Sequence, residues 1–212
     1  AFGDNASLRY AGIVDKSAQA ENLVQAQTLD QTTATGGSDT LTLGRAGATM
    51  GQVMMFGGMG ADTLTVLGST ADSLMVGDNG MVTVAQVAAA PSVSGQKAMF
   101  WGNSQSDNGV SMLTRVETLL PEQGTGDSML TVNGSAVLIG GAGADRISAG
   151  RGQGVVFGDG AQVTYADGAL REARSFGLAS GLGDTIELGA GSQADSHKVV
   201  VGGAGADTLT VS

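Results

Sequence analysis

Apolar residues fall at every second position in several short stretches of this chain. Leu41 and Leu43, Leu64 and Val66, Ile186 and Leu188, and Leu209 and Val211 each bracket a polar residue. A period of two predicts strands with one covered and one open face. The Thr, Val, Leu and Ile at these places suit a pleated surface. The runs VMMF at 53–56, AVLIG at 136–140 and KVVVG at 198–202 are apolar without alternation, the pattern of strands covered on both faces. Helical periodicity is weak. SAQAENLVQAQTL at 17–29 fits a helix in part, but its counterparts elsewhere carry glycines and β-formers, so it reads as loop plus strand.

The strands are punctuated by glycine turns of three kinds that recur in one order. The first is an apolar residue before Gly-Asp: FGDN at 2–5, VGDNG at 76–80 and FGDG at 157–160. The second is a short turn opening a strand: GGSDTLTLG at 36–44, GTGDSMLTVNG at 124–134 and GLGDTIELG at 181–189. The third is FGGMGADTLTV at 56–66, repeated as IGGAGADRISA at 139–149 and VGGAGADTLTV at 201–211. The Gly-Asp markers begin at Gly3, Gly77 and Gly158, 74 and 81 residues apart. Between the first and second markers lies an excursion whose far end repeats loosely as NLVQAQTLD, SMLTRVETL and ALREARSFG. The chain therefore divides into units at 1–75, 76–156 and 157–212, the last short of the full length. Short strands in repeated units, with no βαβ alternation, predict an all-β fold: one continuous β-solenoid or β-roll of parallel coils, with the excursions as side loops or hairpins.

Composition sharpens the picture in two ways. Glycine makes up 36 of 212 residues, proline only 2, and aromatics 4%. A core of Val, Leu, Ile, Met and Ala suits thin regular layers, and the 42% hydrophobic content is too high for a disordered chain. The formal net charge is −10, which disfavours nucleic acid and anionic membranes and favours cations. Of 20 acidic residues 15 are Asp, and many sit in or beside the glycine turns. No cysteine is present, so disulfides and zinc-thiolate sites are excluded. No apolar run is long enough to span a membrane as a helix. The chain begins at Ala1 with no signal-like segment, which reads as a processed product or a window of a longer chain.

The third turn resembles the nonapeptide G-G-x-G-x-D-x-U-x of RTX proteins, calcium-binding parallel β-roll repeats. Gly57 to Thr65 matches at Gly58, Gly60, Asp62 and the apolar Leu64; Gly140 to Ser148 matches at Gly141, Gly143, Asp145 and Ile147; Gly202 to Thr210 matches at Gly203, Gly205, Asp207 and Leu209. The larger unit is similar to segments of long, repetitive, secreted bacterial proteins of this kind. The resemblance implies calcium as the cofactor. It would be held by Asp62, Asp145 and Asp207, then by Asp39, Asp127 and Asp184 of the second turns and Asp4, Asp78 and Asp159 of the Gly-Asp markers. One departure stands out: no nonapeptide here is followed directly by another. After Val66 come Ala71-Asp72 and Gly77-Asp78; after Ala149 come Gly150, Gly152 and Gly154, with no acid before Asp159. The turn chemistry suits a hard cation, since calcium takes six to eight oxygens from carboxylates and carbonyls. The same turns also serve as plain β-arcs in which Asp bonds its own backbone.

Nothing in the sequence suggests catalysis. His197, the single histidine, precedes an apolar strand and reads as a solvent-facing or edge residue. HExxH, GxSxG and GK[ST] are absent. Trp101 reads as a local cover within an excursion, and the nine methionines as core filler. The sequence thus predicts a structural or adhesive, non-enzymatic segment of a secreted protein, folded and stiffened by calcium in an extracellular fibre, matrix or surface layer. Its partners would be itself, end to end, neighbouring repeats, and cell-surface or matrix components. A metal-free filament subunit and the secretion or folding module of an exoenzyme are the alternatives.

Overall fold

A computed structural model describes residues 1–10, 23–32, 34–48, 51–68, 72–87, 110–177, 179, 181–189 and 197–212. Trp101 and the first part of the 17–29 stretch lie outside these. Among the described residues the protein is all-β, with seventeen strands in three sheets and no helix.

Two sheets are parallel. In one, β3 (Thr40–Leu43), β5 (Thr63–Val66), β9 (Ser128–Asn133), β11 (Arg146–Arg151), β15 (Thr185–Leu188) and β17 (Thr208–Val211) lie side by side in chain order. In the other, β4 (Val53–Phe56), β6 (Ser73–Val76), β10 (Ala136–Gly141), β12 (Gly154–Asp159) and β16 (Lys198–Val201) do the same. The chain crosses from one sheet to the other and back, advancing one strand position each time. The third sheet is antiparallel and built from the excursions: β1 (Ala6–Tyr10), β2 (Leu23–Thr28), β7 (Gly80–Val87), β8 (Val110–Thr118), β13 (Ala161–Ala166) and β14 (Ala169–Ser175). Each excursion is an antiparallel pair, β1–β2, β7–β8 and β13–β14, entered from a Gly-Asp marker. The part of 17–29 that is described, Leu23–Thr28, is strand, as its counterparts in β8 and β14 are.

The β4–β16 sheet is the middle layer. Its side chains alternate between two cores. Met55, Met75, Leu138 and Val156 meet Leu64, Met129, Ile147 and Ile186 of the other parallel sheet. Phe56, Val76, Ile139 and Phe157 meet Val82, Val116 and Val163 of the antiparallel sheet. The unbroken apolar runs follow from this double burial: VMMF and AVLIG are covered on both faces as expected. Two further middle strands, SLMV and GVVFGD, carry the same pattern.

KVVV departs from the expectation. Val199 is 42% exposed because, among the described residues, β16 is the last strand of its sheet and no strand covers its outer flank. Leu209 and Val211 are likewise exposed on β17, the last strand of the other sheet, while Leu64, Val66, Ile186 and Leu188 at equivalent positions are buried. His197 is exposed just before β16, and its carbonyl accepts the Gly154 N–H at 3.0 Å.

Candidate functional site

Six of the nine aspartates stand in one file. Asp39, Asp62, Asp127, Asp145, Asp184 and Asp207 each immediately precede a strand of the β3–β17 sheet, so the parallel register stacks them. Each inner carboxylate uses Oδ1 to accept the backbone N–H of the aspartate one strand earlier. Asp39 N–H donates to Asp62 at 2.7 Å, Asp62 to Asp127 at 2.7 Å, Asp127 to Asp145 at 2.7 Å, Asp145 to Asp184 at 2.8 Å and Asp184 to Asp207 at 3.0 Å. The second-turn and nonapeptide aspartates are therefore one structural class, although their local sequences differ.

The other carboxylate oxygen, Oδ2, is pressed against a glycine at the end of a middle-layer strand. A Cβ at Gly140 would collide with Asp145 Oδ2 and with Gly158 O of the next rung. Gly77 is crowded in the same way by Asp127 Oδ2 and Gly140 O, and Gly158 by Asp184 Oδ2 and Gly202 O. Only hydrogen fits at these places, and an acidic oxygen and a carbonyl oxygen share each slot. The sequence marks Gly77 and Gly158 as the glycines of Gly-Asp markers and Gly140 as the first glycine of a nonapeptide, but nothing local shows that a carboxylate closes on them. The usable signal is their place directly after an apolar middle strand.

Asp4, Asp78 and Asp159 form a second file with a different contact. Each reaches the following nonapeptide and accepts a backbone N–H there. Met59 donates to Asp4 at 2.7 Å, Ala142 to Asp78 at 2.5 Å, and Ala204 to Asp159. Gly58, Gly141 and Gly203, with φ of 107°, 121° and 121°, present their Cα to these same carboxylates. A positive φ there turns the next N–H toward the acid, a conformation glycine adopts freely. Gly60, Gly143 and Gly205 instead face the backbone of the neighbouring second turn, near Gly37, Gly126 and Leu182. The nearest atoms to a Cβ at each are backbone atoms of that neighbouring turn, so these glycines let turn pack on turn.

Each sequence unit contributes three of the nine aspartates, and their contacts cross between units: Asp78 and Asp127 feel Asp62 of the first unit, and Asp145 feels Asp184 and Asp159 of the third. Burial is the main force raising the carboxyl pKa values of Asp4, Asp62, Asp78, Asp127, Asp145, Asp159 and Asp184, with neighbouring aspartates adding to it. Asp62, pushed up to about 6, feels Asp39 and Asp4. In the middle unit burial lifts Asp78 to about 9, Asp127 to about 10 and Asp145 to about 8; Asp78 and Asp145 raise Asp127 further. Asp184, at about 6, feels Asp159 and Asp207. Among the described residues no lysine or arginine pairs with any of the nine. Six buried carboxylate oxygens of these aspartates have no hydrogen-bond partner: Oδ2 of Asp62, Asp127, Asp145 and Asp184, and Oδ1 of Asp78 and Asp159. Buried acceptors are ordinarily satisfied. Among the described residues no group of three or more His, Cys, Asp or Glu side chains is placed to hold a metal ion by side chains alone, so a cation here would draw on backbone carbonyls as well.

No protein-family model, curated protein or solved structure matches this chain.

Proposed function

We propose that this chain is a structural or adhesive repeat segment whose parallel coils are ordered by calcium, part of a secreted fibre, matrix or surface layer and without catalytic activity. The observation that carries the reading is the repeated set of buried, unpartnered carboxylate oxygens that no lysine or arginine among the described residues pairs with. An ionised carboxylate buried in this way is costly unless a cation or a proton neutralises it. The available donors are all oxygen: carboxylates of Asp62, Asp145 and Asp207, of Asp39, Asp127 and Asp184, and of Asp4, Asp78 and Asp159, with glycine carbonyls sharing their slots. That donor set suits a hard divalent cation. Calcium, when bound, supplies positive charge that no described lysine or arginine brings to these carboxylates. The chain contributes the rest: parallel register aligns the acids, glycines clear the space, and the N–H bonds to Oδ1 hold each carboxylate in one orientation.

The alternating crossings between two parallel sheets support a solenoid of the β-roll kind, with the antiparallel excursions laid along one side. Extracellular fluids with abundant calcium would keep such a chain folded by mass action. A metal-free filament subunit is the second reading. The unbroken Oδ1 ladder favours it, because protonated carboxyls would satisfy the buried oxygens without any ion.

Thermal melts and circular dichroism, with chelator and with millimolar calcium, separate the two. The calcium reading expects a marked rise in melting temperature and sharper β structure with calcium. Identical melts and spectra in both conditions at neutral pH would leave the metal-free solenoid.

A further inference from the structure

All three sheets stop in phase at the two ends of the stack. At one end lie β14, β16 and β17, each the last strand of its sheet. At the other lie β1, β3 and the segment Ala1–Gly3, which extends the middle layer beside β4. There the Ala1 ammonium donates to Met54 O at 2.7 Å, Gly3 N–H to Phe56 O at 2.9 Å, and the Phe2 ring stacks on Phe56 with centroids 4.9 Å apart. Within the chain, a strand reached by a nonapeptide turn is always followed in its sheet by a strand reached through a hairpin: β5 by β9, β11 by β15. β17 follows a nonapeptide and β3 follows a hairpin. The open flank of β17 is therefore phased for a β3, that of β16 for an Ala1–Gly3 segment, and that of β14 for an antiparallel β1.

We propose that the two ends dock head to tail between copies of this chain. Thr208 to Val211 of one copy pairs in parallel with Thr40 to Leu43 of the next, and the Asp207 N–H donates to the next copy's Asp39 carboxylate. The register is the one already used between β15 and β17 and between β3 and β5. Leu209 and Val211 are 50% and 72% exposed, whereas Ile186 and Leu188 one rung inside are 0% and 8%; the missing cover is one more rung. At the far end Leu41 and Leu43 are half-buried and line the flank that would supply it. The aspartate file has the same directionality. Among the described residues Asp207 alone of the six offers an N–H with no carboxylate to receive it, and Asp39 alone has an Oδ1 that receives none. An open parallel edge is a ready template for a further strand. Because the two docking surfaces differ, the contact is heterologous and continues as a filament. The contact needs no calcium at the junction, so it stands apart from the calcium reading.

Sedimentation or light scattering of the 212-residue chain over a range of concentrations, in calcium and in chelator, tests this. The expected result is mass rising with concentration in whole multiples of 20.9 kDa. Val211→Lys and Leu41→Lys, each checked by circular dichroism for an unchanged fold, block opposite ends. Each alone is expected to be monomeric, and an equal mixture to give a dimer that grows no further, since only one intact pair of ends remains. Monomers of the unmodified chain at all concentrations under conditions where it is folded would overturn the proposal. So would a folded Val211→Lys chain that still forms long assemblies, or an equal mixture that stays monomeric. A change in melting with calcium but not in mass would leave the calcium reading intact and sink only this one.

Discussion

Asp127 concentrates the chemistry of the site in one side chain. Its Oδ1 accepts the Asp62 N–H at 2.7 Å, its Oδ2 has no partner, and burial pushes its pKa up to about 10. A carboxyl with a folded-state pKa above its unfolded value binds its proton more tightly when folded. The stability it contributes is fully present below the unfolded value of about 4 and is lost as pH rises through the folded one. For Asp62 and Asp184 the loss runs from about 4 to about 6; for Asp145 and Asp127 it continues to about 8 and about 10. In chelator, the protein is therefore expected to be most stable in mild acid, with stability falling by about 1.4 kcal/mol per pH unit for each proton taken up on folding. Asp127→Asn keeps an oxygen for the Asp62 N–H and removes the need for that proton. Melting in chelator should show the variant more stable than the unmodified chain at pH 8, nearly equal at pH 4, and less responsive to calcium. A flat pH profile for the unmodified chain would contradict this account.

At the scale of the element, the glycine turn is the part that tolerates least. Near the end of β10, a methyl on Gly140 has nowhere to go between Asp145 Oδ2 and Gly158 O; parallel pairing with β12 fixes the carbonyl, and the Asp127 N–H bond to Oδ1 holds the carboxylate. Gly37, in the equivalent second-kind turn, has nothing within 4 Å of an added Cβ and no positive φ. Gly140→Ala is expected to lower stability by about 1–3 kcal/mol, the range for forcing an extra methyl into a filled space. Gly37→Ala should stay within about 0.5 kcal/mol, as for a surface change away from special features; denaturant unfolding of the two variants measures both. Equal effects would show that the crowding at Gly140 relaxes.

Much of this element structure could be read beforehand. TLTL, TLTV and TIEL showed a one-sided strand because a threonine or glutamate marks the open face. VMMF and AVLIG showed a middle strand because no polar residue interrupts them. SLMV and GVVFGD have the same apolar continuity, but the Gly-Asp marker that ends each one masks it. Each aspartate is legible from its own glycine turn, but the bond that unites them is not. The residues joined by the file are separated by 18 to 65 positions in the chain, and local pattern carries no trace of which rung lies next to which. The exposure of Val199, Leu209 and Val211 was equally invisible, since it depends on a strand having no neighbour rather than on its own composition.

For the whole molecule, the relevant feature is the direction of the bonds between rungs. Strands lie across the stack, so the hydrogen bonds joining successive rungs, including those of the aspartate file, point along it. The ends of the chain sit at opposite ends of the stack, with Ala1 beside β4 and Ser212 just beyond β17. A tensile load applied between those ends acts along the bonds and meets them in series, so rungs open one after another from the ends inward, as expected of nearest-neighbour cooperativity in stacked repeats. Stretching a single molecule by its termini should accordingly give a run of small, similar force steps. Calcium should raise the height of each step without changing the length it releases. One large rupture that frees the whole chain would mean that the load passes through the packed cores between sheets instead. A tether that yields in small steps dissipates energy gradually and can re-form each rung when the load drops, the mechanical behaviour suited to a flexible link under fluctuating pull.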